Sequence, residues 1–196
     1  MEHYLYPLHL NSEKLLEKGN IQIYGQLNQE SFLLKSVFYS KFPPDQVLNY
    51  FRDLTQRPIW DKNIEKIEEI PTETDSEFYT YMKFKKVLTI SQRDSLIISS
   101  IIQKDDGILL ISQSASLPSH PELDSVTRIK IFIAGYYFKS TNEQNFRTKV
   151  FNLTKADFKG VISHKLVQKA TALGLPKMVE LMEQGMEKFY SSKQGL

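Results

Sequence analysis

The chain has 196 residues, 41 % of them hydrophobic and 24 % charged, with a formal net charge of +2. This describes one globular domain with room for a substantial core, and so slight a positive excess points to no nucleic-acid partner. The absence of cysteine excludes disulfides, thiolate metal sites and cysteine nucleophiles.

In chain order, residues 12–18 read as a short helix, capped by Ser12 and stopped by Gly19, which makes 1–19 a short N-terminal segment. Residues 20–27 and 32–41 read as strands, with Asn28-Gln29-Glu30-Ser31 as the hairpin loop between them. Pro43-Pro44-Asp45 opens a helix running to about Gln56, with Val47, Leu48, Phe51 and Leu54 on one stripe. Arg57-Pro58-Ile59-Trp60-Asp61 follows as a break and tight turn. Strands are predicted over 64–70, 78–86, 95–104, 108–117, 126–139 and 146–154. Asp105-Asp106-Gly107 and Ser140-Thr141-Asn142-Glu143 are turns, and connections this short imply antiparallel neighbours.

Asp157-Phe158-Lys159-Gly160 is a turn before a long helix over 163–190. Leu166, Val167, Ala170, Leu173, Val179, Met182, Met186 and Phe189 fall on roughly one side of it. Gly174-Leu175-Pro176 predicts a kink or break that could act as a hinge. Met178, Met182 and Met186, four apart, form an adaptable apolar surface.

The economical architecture is α+β: a strongly curved antiparallel sheet wrapped around the long C-terminal helix. Alternation assigns Phe78, Met82 and Phe84; Leu109, Ile111 and Ala115; and Ile129, Ile131 and Ile133 to the inward face. One helix covers only part of so wide a sheet, so the concave face is expected to keep a hollow. Nothing repeats and no linker divides the chain, so 1–196 is read as a single domain.

Several local motifs recur in a recognisable order: Arg57-x-x-Trp60-Asp61, Gln92-Arg93-Asp94, Ser116-x-x-x-His120-Pro121, Val126-x-Arg128 with Gly135, and Asp157-x-x-Gly160. Together they resemble the START family, the lipid-transfer domains related to the steroidogenic acute regulatory protein, over residues 32–190. The resemblance implies a helix-grip fold with a tunnel for one lipid. It also implies a gate made by the last helix, 158–190, and the loop 87–91. Val87, Leu88 and Ile90 would then touch the membrane on opening, with Lys83, Lys85 and Lys86 beside anionic headgroups. The chain departs from the family where some sterol-binding relatives keep a buried acid–Arg pair. Those positions here are Thr80 and Ser99, so readings that need an interior charge lose support. Ser125 replaces an expected glycine, and the N-terminal helix is short.

Catalytic chemistry finds little footing. His3, His9, His120 and His164 show no metal spacing, and no nucleophile elbow or glycine-rich phosphate loop is present. No cofactor or metal is expected. Arg93-Asp94 reads as a structural ion pair tying the gate loop to the sheet, and Arg128 as the partner of a carboxylate near the sheet edge. The expectation is a non-enzymatic lipid-binding or lipid-transfer protein for a phospholipid, sterol or other hydrophobic ligand. Phe78, Met82, Phe84, Leu109, Ile111, Ile129, Ile131, Ile133, Met178, Met182, Met186 and Phe189 would wall the tunnel. Gln113, Thr148 and Asn152 would supply polar contacts. The alternative is a cyclase- or hydratase-like helix-grip enzyme acting on a hydrophobic substrate. The start lacks a signal pattern and no apolar run approaches the ~20 residues of a membrane span. A cytoplasmic monomer that meets membranes transiently is therefore expected.

Overall fold

The computed structural model describes residues 12–27, 31–86, 91–160 and 164–194. His3, His9 and most of the expected loop 28–31 lie outside them. The order of elements is β1 (Glu13–Lys18), β2 (Ile21–Leu27), β3 (Phe32–Ser40), α1 (Pro44–Arg52), α2 (Arg57–Trp60), β4 (Ile64–Pro71) and β5 (Glu77–Phe84). Then follow β6 (Arg93–Lys104), β7 (Gly107–Ser114), β8 (Thr127–Arg128), β9 (Lys130–Ser140), β10 (Thr148–Asp157) and α3 (His164–Gln194). The ten strands form one sheet in the order β1-β2-β3-β10-β9-β7-β6-β5-β4, with β8 joined to β6. Every pairing is antiparallel except β6 with β8.

The segment 12–18 is a strand, not the expected helix. Gly19, at φ +59°, turns the chain back so that Lys18 pairs with Ile21. Seven residues are too few to hold a helix alone, whereas pairing with β2 satisfies their backbone and lets Leu15 and Leu16 pack on the core. Helix α1 begins as the prolines dictate but stops at Arg52, where the Asp53 carboxylate accepts the Thr55 N–H at 2.9 Å.

Helix α3 is continuous, with Pro176 inside it, so the expected break at 174–176 is absent. A proline forfeits one helix bond and crowds the preceding turn. The packing of Leu175, Met178, Val179, Met182 and Met186 against the core on either side of it offsets that cost. The buried stripe belongs to this second half. Leu166 and Leu173, expected on it, are 46 % and 67 % exposed; the Val167 side chain lies outside the described residues. Gly185 lets α1 seat closely: a Cβ there would stand 2.0 Å from the Tyr50 hydroxyl.

The sheet has apolar groups on both faces. The inner cluster joins Ile23, Phe38, Leu110, Phe138 and Val150 to Tyr50, Phe51 and Trp60 of the two short helices and to Met182 and Met186 of α3. The outer cluster holds Val37, Leu109, Tyr137, Phe151 and Leu153. Between β9 and β10 the register slips: Lys155 faces Ile133 while Ala156 faces Ile131. Phe132 is thus an extra residue in a β-bulge, and the inward parity of β9 changes there. No helix among the described residues is long and apolar enough to cross a membrane.

Candidate functional site

The inner face of the sheet changes character along its length. At one end Phe38, Phe138 and Val150 share one buried cluster with Met182 and Met186 of α3 and fill the space. At the other end the inward positions carry Thr80, Ser95, Ser99, Ser112, Ala134, Thr154 and Ala156, and a cavity of about 250 Å³ opens beside them. Ser and Ala cannot reach across the gap that a Leu or Phe would close, so a hollow follows from side-chain volume. The remaining wall is apolar apart from Glu69: Ile67, Phe78, Met82, Phe84, Ile97, Leu110, Ile129 and Ile131, with Tyr136 and Phe158. Phe51, Arg52, Leu54 and Arg57, from α1, α2 and their connection, complete it.

Charge enters from those short helices. The Arg52 guanidinium sits 4.0 Å over the Phe78 ring and donates to Glu69 Oε2 at 3.1 Å. Arg57 stacks 4.3 Å from both the Phe51 and Trp60 rings and lies 3.6 Å from Asp61 Oδ2. The Nε atoms of both arginines find no partner among the described residues. Neither does the buried Ser95 Oγ, while Ser99 and Ser112 share a 2.7 Å hydrogen bond. Burial raises the Tyr136 phenol above its ordinary pKa, with Arg57 opposing. Its hydroxyl is therefore neutral throughout the physiological range.

The cavity end is fastened by two arginines. Arg93 donates to the Ser91 carbonyl at 2.8 Å and to those of Phe158 and Lys159 at 3.0 and 2.9 Å. It thereby joins the start of β6 to the turn before α3. The expected Arg93–Asp94 pair is not formed, because consecutive residues of a strand point to opposite faces. Asp94 instead accepts a two-pronged bond from Arg128, at 2.7 and 2.9 Å. Arg128 also reaches the carbonyls of His120 and Pro121. This buried pairing raises the Arg128 pKa further, against burial. His120 bridges Ser119 and the Glu68 carboxylate, and its neighbours Lys66 and His120 hold Glu68 below the usual carboxyl range.

Of the residues expected to face a ligand, Phe78, Met82, Phe84, Ile129 and Ile131 stand on the cavity wall. Leu109, Ile111 and Ile133 stand on the outer face, in or against the outer cluster, and Gln113 shares the parity of Leu109 and Ile111 and is exposed. The reversal on β7 arises because Ile108-Leu109-Leu110-Ile111 is apolar on both faces, so alternation carries no direction. On β9 the bulge at Phe132 defeats extrapolation from Ile131 to Ile133. Thr148 and Asn152 face inward but are spent on structure: Thr148 Oγ1 donates to the Phe42 carbonyl at 2.6 Å and Asn152 Nδ2 to that of Gly135 at 3.2 Å. Met178, Met182, Met186 and Phe189 pack in or against the inner core cluster; none is among the described residues lining the cavity. Val87, Leu88 and Ile90 lie outside the described residues.

Sequence reading missed Arg52, Arg57, Glu69 and the hydroxyl wall. Thr80 and Ser99 do lack charge, as expected, but the interior charge is carried by other elements. The legible signal was serine at 95 and 99, two alternate steps apart and flanking Ile97 on one face of the strand. Among the described residues no group of His, Asp or Glu side chains is arranged to hold a metal ion.

The START domain model matches residues 13–191. The phosphatidylcholine transfer protein of Bos taurus is 24 % identical over 184 residues, covering 90 % of this chain and 84 % of its own. That of Mus musculus is 22 % identical over 183 residues, with the same coverage. The solved human StAR-related lipid transfer protein 5 superposes with a TM-score of 0.83 at 15 % identity, over 97 % of this chain and 92 % of its own. At that identity the superposition shows a shared fold.

Proposed function

The chain belongs to the START domain family, and on that premise we propose that it carries one lipid in the cavity between the sheet and its helices. The observation that carries this reading is the cavity itself, whose wall is apolar apart from hydroxyls, Arg52 with its partner Glu69, and Arg57. A lipid crossing water exposes its chains at a cost of about 0.8 kcal/mol per CH₂. A dry wall such as Ile97, Ile129, Ile131, Met82 and Phe84 removes that cost and lowers the barrier to extraction.

The polar groups define the other end of the ligand. Arg52 is matched by Glu69 and Arg57 by Asp61, so the wall offers no spare positive charge to a net anion. Burying an unmatched charge is costly. A neutral or zwitterionic polar group suits this wall, with hydroxyl or ester oxygens reaching Ser95 and the free Nε donors. The phosphatidylcholine named for the relatives is of that kind. An enzyme on this scaffold would need an acid or base aimed into the cavity, and Glu69, the carboxylate at its wall, is engaged by Arg52.

Gating is assigned to the loop 87–91 and to the segment 158–190. Arg93 supports that assignment, since it binds the backbone at Ser91, Phe158 and Lys159 at once. A membrane-facing opening there would expose Val87, Leu88 and Ile90. Transfer of a fluorescent lipid between vesicles tests this. Leu88→Asp is expected to slow transfer roughly tenfold, since a carboxylate resists entry into the interface, with the thermal midpoint unchanged. Transfer at the wild-type rate would remove the gate from that loop.

A further inference from the structure

We propose that the outer face of the sheet carries a docking surface for an anionic membrane, centred on Phe132 at the β9 bulge. The bulge leaves Phe132 with no residue opposite it on β10, and the residue is 40 % exposed. The ammonium groups of Lys130 and Lys155 stand 5.0 and 5.4 Å from the centre of that ring. Neither lysine has a carboxylate partner among the described residues.

The far end of the same face is different. There Lys139 pairs with Asp106 at 2.8 Å and Lys149 with Glu143 at 3.2 Å. The face is thus electrically balanced away from the cavity, while beside it Lys130 and Lys155 outnumber Asp157, which faces Lys130 across the ladder without forming an ion pair, and a net positive charge remains. Lys159, half-buried in the turn that follows β10, lies 3.8 Å from Glu122. An exposed aromatic ring between two ammonium groups that form no ion pair among the described residues suits a bilayer interface. The ring would settle at headgroup depth and the cations would meet lipid phosphates. Charge complementarity therefore favours an anionic bilayer as occupant.

The position connects this surface to the cavity. Ile131, Thr154 and Ala156, the strand neighbours of Phe132 and Lys155, line the cavity from the opposite side. Docking here would bring the cavity end of the sheet to the bilayer, in addition to any contact made by the loop 87–91. Docking is read from the surface alone and does not depend on the nature of the cavity ligand.

The test is sedimentation of the full chain with phosphatidylcholine vesicles, with and without phosphatidylserine. The wild type should favour the anionic vesicles, and salt should weaken the binding. Lys130→Gln and Lys155→Gln should each reduce binding to anionic vesicles about fivefold, and Phe132→Ala several-fold, with circular dichroism unchanged. Equal binding to both vesicle types, or undiminished binding by the folded double variant Lys130→Gln/Lys155→Gln, would overturn the proposal. So would an acidic protein binding this face when vesicles do not. Ligand content of the same variants, read by mass spectrometry, separates the two ideas. Variants that keep a lipid but lose the vesicles support the docking surface and leave the carrier reading intact.

Discussion

The two ends of the inner face use one strand geometry to opposite effect. At the closed end, Phe138 and Val150 of the sheet and Met182 and Met186 of α3 are all within 3 % of full burial and share one cluster with Val47 and Tyr50 of α1. At the open end the same alternation delivers Ser95, Ser99, Ser112 and Ala134, and no side chain among the described residues fills the volume they leave. The closed end is held by apolar contact. The open end is held by directed bonds, those of Arg93 to three carbonyls and of Arg128 to Asp94. Fold stability and ligand space are thus assigned to different residues along single strands. Substitutions should separate them.

The sharpest way to break the contrast is to make the open end resemble the closed one. Ser99→Phe places a ring where the hydroxyls of Ser99 and Ser112 now meet. Lipid retained by the purified protein should fall by roughly an order of magnitude or more, with overpacking costing about 1–3 kcal/mol of stability. A variant that keeps its full ligand would show that the space between the sheet and the short helices is not where the ligand lies.

Removing the fastening comes next. Asp94→Ala leaves Arg128 buried without its carboxylate and should cost about 3–5 kcal/mol in urea unfolding. A loss below about 1 kcal/mol would mean that the carbonyls of His120 and Pro121 suffice to hold the guanidinium. At the closed end, Met186→Ala should cost about 2–5 kcal/mol by opening a void in the filled core. The ligand bound by the surviving folded protein should be unchanged. An altered ligand would mean that α3 shapes the cavity through its methionines after all.

The smallest effect concerns pH. Burial raises the Glu183 carboxyl above its ordinary value, partly opposed by Ser40 and the Lys41 N–H, and its Oε1 has no partner among the described residues. A raised folded-state value means that the stabilising contribution is complete below the ordinary carboxyl range. It is lost as pH rises through the folded value. Glu183→Gln should therefore leave the melting temperature almost unchanged at acidic pH and raise it by a degree or two at neutral pH. Parallel melting curves for the two proteins across that range would contradict this.

Much of the architecture was legible because turns and alternation are local. Pro43-Pro44 marked the start of α1, Asp105-Asp106-Gly107 the hairpin before β7, and the apolar spacing of 178–189 the buried half of α3. Which side of a strand faces inward was less legible. Phe78, Met82 and Phe84 had one apolar side and were assigned correctly, but β7 is apolar on both sides, and the bulge at Phe132 resets parity within β9. Seven residues at 12–18 took strand pairing over a capped helix because the partner that decides, β2, is supplied by tertiary structure. The cavity's charged groups were illegible for a similar reason. Arg57 was visible as part of a turn motif, but its approach to the cavity depends on how α1 and α2 sit over the sheet.

The account rests on the open end holding a lipid, and native mass spectrometry of the protein purified from cells tests that most directly. The predicted spectrum shows one adduct per chain, with a lipid of neutral or zwitterionic headgroup, and Ser99→Phe removes it. A wild-type chain that carries no adduct, and takes none up from vesicles of neutral or zwitterionic lipids, would contradict the account.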